Sequence, residues 1–124
     1  MALQVGLTGR ADLAVTDRDT AVALGSGDVE VLGTPRVVAL AEQATLAALS
    51  GHLSEPYTSV GTRVEVEHRV PTAVGGTVQA EARLVSVEGR RLGFRVVVRE
   101  GAQTVAEGRI DRVVVDRARF APQG

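Results

Sequence analysis

Apolar residues dominate residues 34–53, the sequence TPRVVALAEQATLAALSGHL. Alanine and leucine are strong helix formers, and their spacing leaves only a narrow polar stripe around Glu42. Thr34 suits the N-cap position, Pro35 suits the first helical position, and the Ser-Gly pair at 50–51 is typical of a helix end. The pattern therefore predicts one long helix that other parts of the chain surround.

The remainder of the chain alternates apolar and polar side chains with the period of two that is typical of half-buried β-strands. Alternation first occurs at 11–17, and the glycine-containing segment 18–33 then predicts a loop with a short helical turn. Short glycine-containing connections after the helix favour antiparallel hairpins. The last strand changes phase, which predicts a bulge or bend near 109–112. After a loop at 54–60, the predicted strands are 61–70, 76–87, 91–100 and 103–116.

This order of elements predicts an α+β architecture, the hot-dog fold, in which a curved antiparallel sheet of about five strands wraps one long central helix. A chain of 124 residues suits a single such domain over 1–124. The helix covers only one face of the sheet, and the edge strands remain open. Aromatic residues make up only 2% of the chain, so a small core of Val, Leu and Ala gives the domain a further reason to pair. We therefore predict a homodimer, with a tetramer as an open alternative.

Composition narrows the function classes. A net charge of −1 without any basic run argues against nucleic acid or an anionic membrane as a partner. The chain has no cysteine, which removes thiolate zinc sites and a cysteine nucleophile, and two separate histidines lack metal-ligand spacing. The first residues lack the charged region and the long apolar run of a signal peptide, and no apolar run approaches about 20 residues, so we expect neither a leader nor a membrane span. We therefore predict a cytoplasmic protein without a metal or other cofactor.

Two polar residues interrupt this pattern within predicted elements. His68 lies in strand 61–70 on the valine-bearing side that faces the helix, and it is either an acid–base group or a half-buried histidine bonded to backbone. Glu42 follows Thr34 by eight residues, about 12 Å along the helix and on nearly the same face. It belongs either to the solvated stripe of the helix or to a partly buried functional site.

Two further candidates lie on the predicted strands. Arg112 is in phase with Ile110 and Val114, and it is either an edge-strand charge or a forked donor for a carbonyl or carboxylate. Gly61 opens the strand that carries His68, as a plain turn residue or as a point where backbone approaches a ligand. Without a metal motif, a phosphate-binding loop or a nucleophile elbow, these residues favour water-mediated or carboxylate-assisted acyl chemistry.

Several stretches resemble the fluoroacetyl-CoA thioesterase family, a branch of the hot-dog acyl-CoA thioesterases. The resemblance covers the chain from about residue 11 to residue 120. Its most specific part is VPTAVGGTVQAEARLVSVEGRRLGFRV at 70–96. The helix opening GTP…LAE, the stretch VGTRVEVEH at 60–68 and the stretch EGRIDRVVVDRARF at 107–120 add to it.

The resemblance assigns roles to all five candidate residues. In the family, a threonine at the helix start, a glutamate eight residues later and a histidine on the next strand form the catalytic set, and a glycine and an arginine contact substrate. It implies hydrolysis of acyl-CoA at a homodimer interface, with the glutamate as nucleophile or general base and the histidine as proton donor or activator of water. The matching positions are Thr34, Glu42 and His68 for catalysis, and Gly61 and Arg112 for substrate binding.

One difference affects the expected substrate. The family's selectivity for fluoroacetyl groups is linked to phenylalanines in the lid before the helix, whereas residues 21–32 contain no aromatic residue. The resemblance therefore implies a thioesterase for small or medium acyl-CoA. Two alternatives stay open: a non-catalytic acyl-CoA-binding or dehydratase-like hot-dog module, and an interaction scaffold that uses the sheet edge.

Overall fold

Five antiparallel strands and one long helix account for most of the fold. The structure is a computed structural model that describes residues 3–122. In chain order the elements are β1 (Thr8–Ala14), a 3-10 turn (Asp17–Asp19), α1 (Ala21–Leu24), α2 (Thr34–Leu49), β2 (Tyr57–His68), β3 (Thr77–Glu88), β4 (Arg91–Glu100), β5 (Gln103–Asp116) and α3 (Arg117–Phe120).

The strands form a single sheet in the order β1-β3-β4-β5-β2, and every neighbouring pair is antiparallel. The hairpins β3–β4 and β4–β5 make its centre, while β1 and β2 are its edges. Helix α2 contacts β1, β2, β3 and β4, so the sheet curls around it. The predicted hot-dog arrangement with five strands is confirmed.

Small residues bring α2 close to the sheet. The buried side of the helix carries Ala41, Ala44 and Ala48, and β1 crosses it at Gly9. A Cβ atom placed on Gly9 would overlap the backbone of Ala44 and Ala48, so the two backbones lie in direct contact. Among residues 3–122, neither α2 nor any other helix is long and apolar enough to cross a membrane.

Several strand boundaries differ from the sequence-based predictions. Strand β1 begins at Thr8 rather than at 11, because Gly9 has no side chain to reveal the alternation. Helix α2 ends at Leu49, directly before the Ser-Gly pair that predicted the helix end: Ser50 already leaves the helical conformation, and Gly51 takes a positive φ. Strand β2 already begins at Tyr57, inside the segment that was predicted as a loop.

The expected bulge near 109–112 lies on the neighbouring strand instead. Gly61 pairs with Arg112 and Arg63 pairs with Asp111, so Thr62 of β2 is the extra residue while β5 continues without interruption at this point. Because side chains alternate along a strand, residues seven apart normally point to opposite faces. The bulge at Thr62 reverses the phase and turns both Gly61 and His68 toward α2.

We expect Gly9→Ala to lower the free energy of unfolding by about 1–3 kcal/mol, because its methyl group overpacks the contact between β1 and α2. Urea denaturation measures the loss. The control is Gly27→Ala in the exposed loop before α2, where the added Cβ meets only the Ala21 side chain, at 3.3 Å. Equal stability of the two variants would contradict a direct backbone contact at Gly9.

Candidate active site

Thr34 and His68 form a hydrogen-bonded pair at the start of α2. The Thr34 Oγ1 atom lies 2.8 Å from the His68 Nδ1 atom. The expected N-cap role of Thr34 is wrong, because Gly33 occupies the N-cap with extended backbone and Thr34 is already inside the helix. Its hydroxyl is therefore directed across to β2, where the imidazole of His68 lies at the end of the strand.

The imidazole of His68 is half-buried, and its two nitrogens have different surroundings. The Nδ1 atom meets Thr34, whereas the Nε2 atom has no hydrogen-bond partner among the described residues and no contact with solvent. Desolvation lowers the pKa of His68, and the backbone of Val70 opposes this with a smaller raising effect. A lowered imidazole pKa keeps the ring neutral at neutral pH, so one of its nitrogens can accept a proton.

The turn before α2 is anchored by Asp19. Its carboxylate accepts hydrogen bonds from the Thr16 backbone N–H at 2.8 Å, the Thr16 hydroxyl at 3.0 Å and the Arg36 Nε at 3.2 Å. The Thr16 backbone bond is the main cause that lowers the pKa of Asp19, and Arg36 acts in the same direction. The Asp19 carbonyl also accepts from the Gly33 N–H at 2.8 Å. These bonds hold the first turn of α2, and thus Thr34, in place.

Glu42 lies in the middle of α2, where its carboxylate is close to Arg112 of β5 and to Gly61 of β2. Its Oε2 atom lies 3.4 Å from the Arg112 Nη1 atom, and the Arg112 side chain is 7% exposed against 35% for Glu42. A Cβ atom on Gly61 would come within 2.6 Å of the same oxygen. Glycine at this position thus leaves the carboxylate room against the strand backbone. Gly61 lies inside β2 and not in a turn, and its approach to a ligand stays a prediction.

Ser59 orients the guanidinium of Arg112. The Arg112 Nε donates to the Ser59 Oγ at 2.8 Å, and the Nη2 donates to the Ser59 carbonyl at 3.0 Å. Burial lowers the pKa of Arg112 and the Glu42 carboxylate opposes this, but guanidinium stays charged in proteins. With two of its nitrogens bound by Ser59, Arg112 directs Nη1 toward Glu42.

The five predicted residues therefore fall into two groups within one chain. Thr34 and His68 form one group, and Glu42, Gly61 and Arg112 form the other. Eight helical residues separate Thr34 from Glu42, which corresponds to about 12 Å. Among the described residues, no hydrogen bond or ion pair joins the two groups.

A shallow groove of about 280 Å³ opens beside the Thr34–His68 pair. Its walls include the apolar side chains of Val31, Leu32 and Val70, together with Ala21 of α1. No group of three or more side chains within 3–122 is arranged to hold a metal ion. The groove places these aliphatic side chains, together with Ser26 and Arg69, next to a hydroxyl and an imidazole.

Comparisons with known proteins identify the family of this chain. The fluoroacetyl-CoA-specific thioesterase family matches residues 15–118. The chain belongs to this family. The fluoroacetyl-CoA thioesterase of Streptantibioticus cattleyicolor is 37% identical over 91 residues, which cover 73% of this chain and 66% of that protein, a little under two thirds of its length.

Solved structures agree with this membership. A structure of the fluoroacetyl-CoA thioesterase matches with a TM-score of 0.89 at 32% identity, and covers 97% of this chain and 93% of the other. A hot-dog-like protein from Thermanaerovibrio acidaminovorans matches with a TM-score of 0.84 at 28% identity, over 98% and 96% of the two chains. The predicted family resemblance is thereby confirmed.

Sequence reasoning missed Ser59 and Asp19. Ser59 lies in the predicted loop at 54–60, so the sequence does not predict that it pairs with Val114 in the sheet. Asp19 lies three residues after Thr16, a spacing typical of a capping box, and this was the signal available in the sequence. Both residues support predicted site residues without belonging to the predicted set.

We expect Ser59→Ala to lower the free energy of unfolding by about 1–3 kcal/mol, because it leaves the buried Nε of Arg112 without an acceptor. Urea denaturation of the variant measures this. Ser54→Ala is the matched control, since Ser54 is exposed and its hydroxyl has no partner among the described residues. If both variants were as stable as the wild type, the proposed dependence of Arg112 on Ser59 would be wrong.

Proposed function

We propose that the protein hydrolyses small or medium acyl-CoA thioesters to a free acid and CoA. The observation that carries this proposal is the half-buried Glu42 carboxylate, which faces the side-chain-free Gly61 and the oriented Arg112. Membership of a thioesterase family supports the same reaction. Thr34, Glu42 and His68 form the proposed catalytic set, and Gly61 and Arg112 bind the substrate.

A complete site requires two subunits in this proposal. Strand β2 is an edge of the sheet, so the backbone groups on its outer side are free to pair with another strand. Antiparallel pairing of two β2 strands around the exposed Val64 would lay His68 alongside the Ser59–Gly61 stretch of the partner subunit. The Thr34–His68 pair of one subunit then lies close to the Glu42 group of the partner subunit. The two groups that meet thus come from different helices, and the distance of about 12 Å between Thr34 and Glu42 along one helix no longer keeps them apart.

Each group has a distinct chemical task. Glu42 attacks the thioester carbonyl or deprotonates a water molecule that does so, while Arg112 and the backbone near Gly61 orient the acyl group and stabilise the developing oxyanion. The carbon–sulfur bond then breaks, and the departing thiolate takes a proton from His68, which is re-protonated by the proton that the attacking water gives up. Where Glu42 has attacked directly, water then hydrolyses the anhydride between Glu42 and the acyl group, which releases the free acid and restores the carboxylate. Thr34 holds the imidazole through Nδ1, which leaves Nε2, an atom without a hydrogen-bond partner among the described residues, as the nitrogen that exchanges the proton.

The segment before α2, residues 21–32, bears on which acyl groups the site prefers. Residues 21–32 supply Ala21, Val31 and Leu32 to the groove of about 280 Å³, without an aromatic side chain. A groove with aliphatic walls recognises an alkyl chain by its apolar surface and has no aromatic ring to close over a two-carbon group. We therefore propose that short unbranched acyl chains are preferred over fluoroacetyl.

Purified protein assayed with acetyl-, fluoroacetyl-, butyryl- and octanoyl-CoA and a thiol reagent should release CoA from at least one of them. Glu42→Gln and His68→Ala should each lower kcat about a hundredfold or more, because each removes a group that transfers a proton or attacks the carbonyl. Glu81→Gln, which changes an exposed carboxylate on β3 away from the proposed interface, serves as the control and should leave kcat unchanged. Release of CoA from no substrate would instead favour the non-catalytic binding module.

Co-expression of Glu42→Gln and His68→Ala chains tests the shared site. Random assortment makes half of the dimers mixed, and each mixed dimer contains one intact site, so about a quarter of wild-type activity should return. Pairing Glu42→Gln with the double variant Glu42→Gln/His68→Ala should restore nothing. Absence of restoration in the first mixture, with mixed dimers verified by affinity tags, would place the whole site within one chain.

A further inference from the structure

A groove at one end of the sheet is separate from the candidate active site. It measures about 340 Å³ and lies where the start of β2, the β3–β4 turn and helix α3 meet. The chain contains only three aromatic residues, and two of them, Tyr57 and Phe120, line this groove. The Phe120 side chain is 58% exposed, whereas the third aromatic residue, Phe94, is fully buried in the core.

The charges of this groove favour an anion. The Arg90 guanidinium lies 5.5 Å from the centre of the Tyr57 ring, and within residues 3–122 neither Arg90 nor Arg119 forms an ion pair. The one acid of the lining is Asp116, whose carboxylate accepts hydrogen bonds from two backbone N–H groups at the start of α3. The lining therefore carries two guanidinium groups and one carboxylate, which gives it a net positive charge.

Another arginine-lined groove, on the outer face of the sheet, differs in the ion pairing of its arginines. It measures about 500 Å³, and three of its four arginines, Arg63, Arg109 and Arg112, form ion pairs among the described residues. The fourth, Arg91, lies in a lining that also contains Glu88. This lining contains no aromatic residue. The groove at Tyr57 and Phe120 is thus the better site for a ligand that combines a flat ring with phosphate groups.

We propose that this groove binds the adenine nucleotide of CoA, an inference that rests on the proposed function. The adenine ring stacks on Phe120 and on the guanidinium plane of Arg90, and the phosphates pair with Arg119 and Arg90. Tyr57 precedes Gly61 by four residues on β2, a distance of about 13 Å along the strand. The long pantetheine arm of CoA bridges this interval and places the thioester beside Glu42.

Matched substrates with and without the nucleotide test the proposal. One acyl group is offered on CoA and on pantetheine, which lacks the nucleotide. The double variant Arg90→Ala/Arg119→Ala should raise KM for acyl-CoA about tenfold with kcat nearly unchanged, because charge-assisted hydrogen bonds to the phosphates are lost. Its KM for acyl-pantetheine should equal that of the wild type. Phe120→Ala should raise KM for acyl-CoA in the same selective manner.

The control variant is Arg99→Ala, an exposed arginine at the other end of β4, which should change neither KM. An unchanged KM for acyl-CoA in the double variant, or an equal rise for both substrates, would overturn the proposal. So would a changed oligomeric state of the double variant in size-exclusion chromatography, since a second copy of the chain would then cover the groove.

A binding measurement separates this inference from the proposed function. If the wild type hydrolyses neither substrate, the thioesterase proposal fails, and calorimetry with adenosine 3′,5′-bisphosphate still tests the groove. Binding by the wild type with a loss of affinity of about tenfold in the double variant would support a nucleotide site. Equal affinity in both proteins, or no binding by either, would overturn it.

Discussion

The direct contact between helix α2 and the sheet determines where every candidate site residue lies. Glycine in β1 and alanines along the buried side of the helix let the two backbones touch, as at Gly9 and Ala48. At that separation a glutamate side chain on the helix reaches an arginine on β5, and a threonine in the first turn reaches a histidine on β2. Larger residues at this contact would move both partners out of hydrogen-bond range.

The Glu42–Arg112 pair carries an electrostatic cost that the surrounding residues reduce. Arg112 is almost fully buried, and one partly exposed carboxylate at 3.4 Å offsets only part of its desolvation. Ser59 supplies the remaining acceptors through its hydroxyl and its carbonyl. Such a pair is poorly explained as a source of stability alone, because an apolar replacement of similar volume is often as stable. A binding or catalytic use of the exposed carboxylate edge accounts for it better.

Strand β2 combines two unusual properties. It is an edge of the sheet, and the bulge at Thr62 turns residues from both of its halves toward the helix. The first half presents Ser59 and Gly61 and the second half presents His68. In an antiparallel pair of β2 strands, the first half of one strand lies beside the second half of the other. The edge that is open to pairing therefore also carries the two parts of the proposed site.

Much of the fold could be predicted from the sequence, because local patterns encode it. The Ala- and Leu-rich run predicted α2, the alternation and the glycine turns predicted the hairpins from 76 to 116, and both follow from side-chain periodicity and turn chemistry. The family and the hot-dog fold were also predicted correctly. The catalytic roles of Thr34, Glu42 and His68 stay predictions.

Tertiary structure alone decided the remaining features. The bulge at Thr62, the start of β2 at Tyr57 and the position of Ser59 depend on pairing with β5, a strand about 50 residues later in the chain. The hydroxyl of Thr34 contacts His68 rather than capping its own helix, because Gly33 already occupies the N-cap. The division of the site into two groups is likewise a matter of distance in space. The periodicity of the sequence predicts which face of a helix or strand a residue occupies. Which of these faces contact each other is determined only by the folded chain.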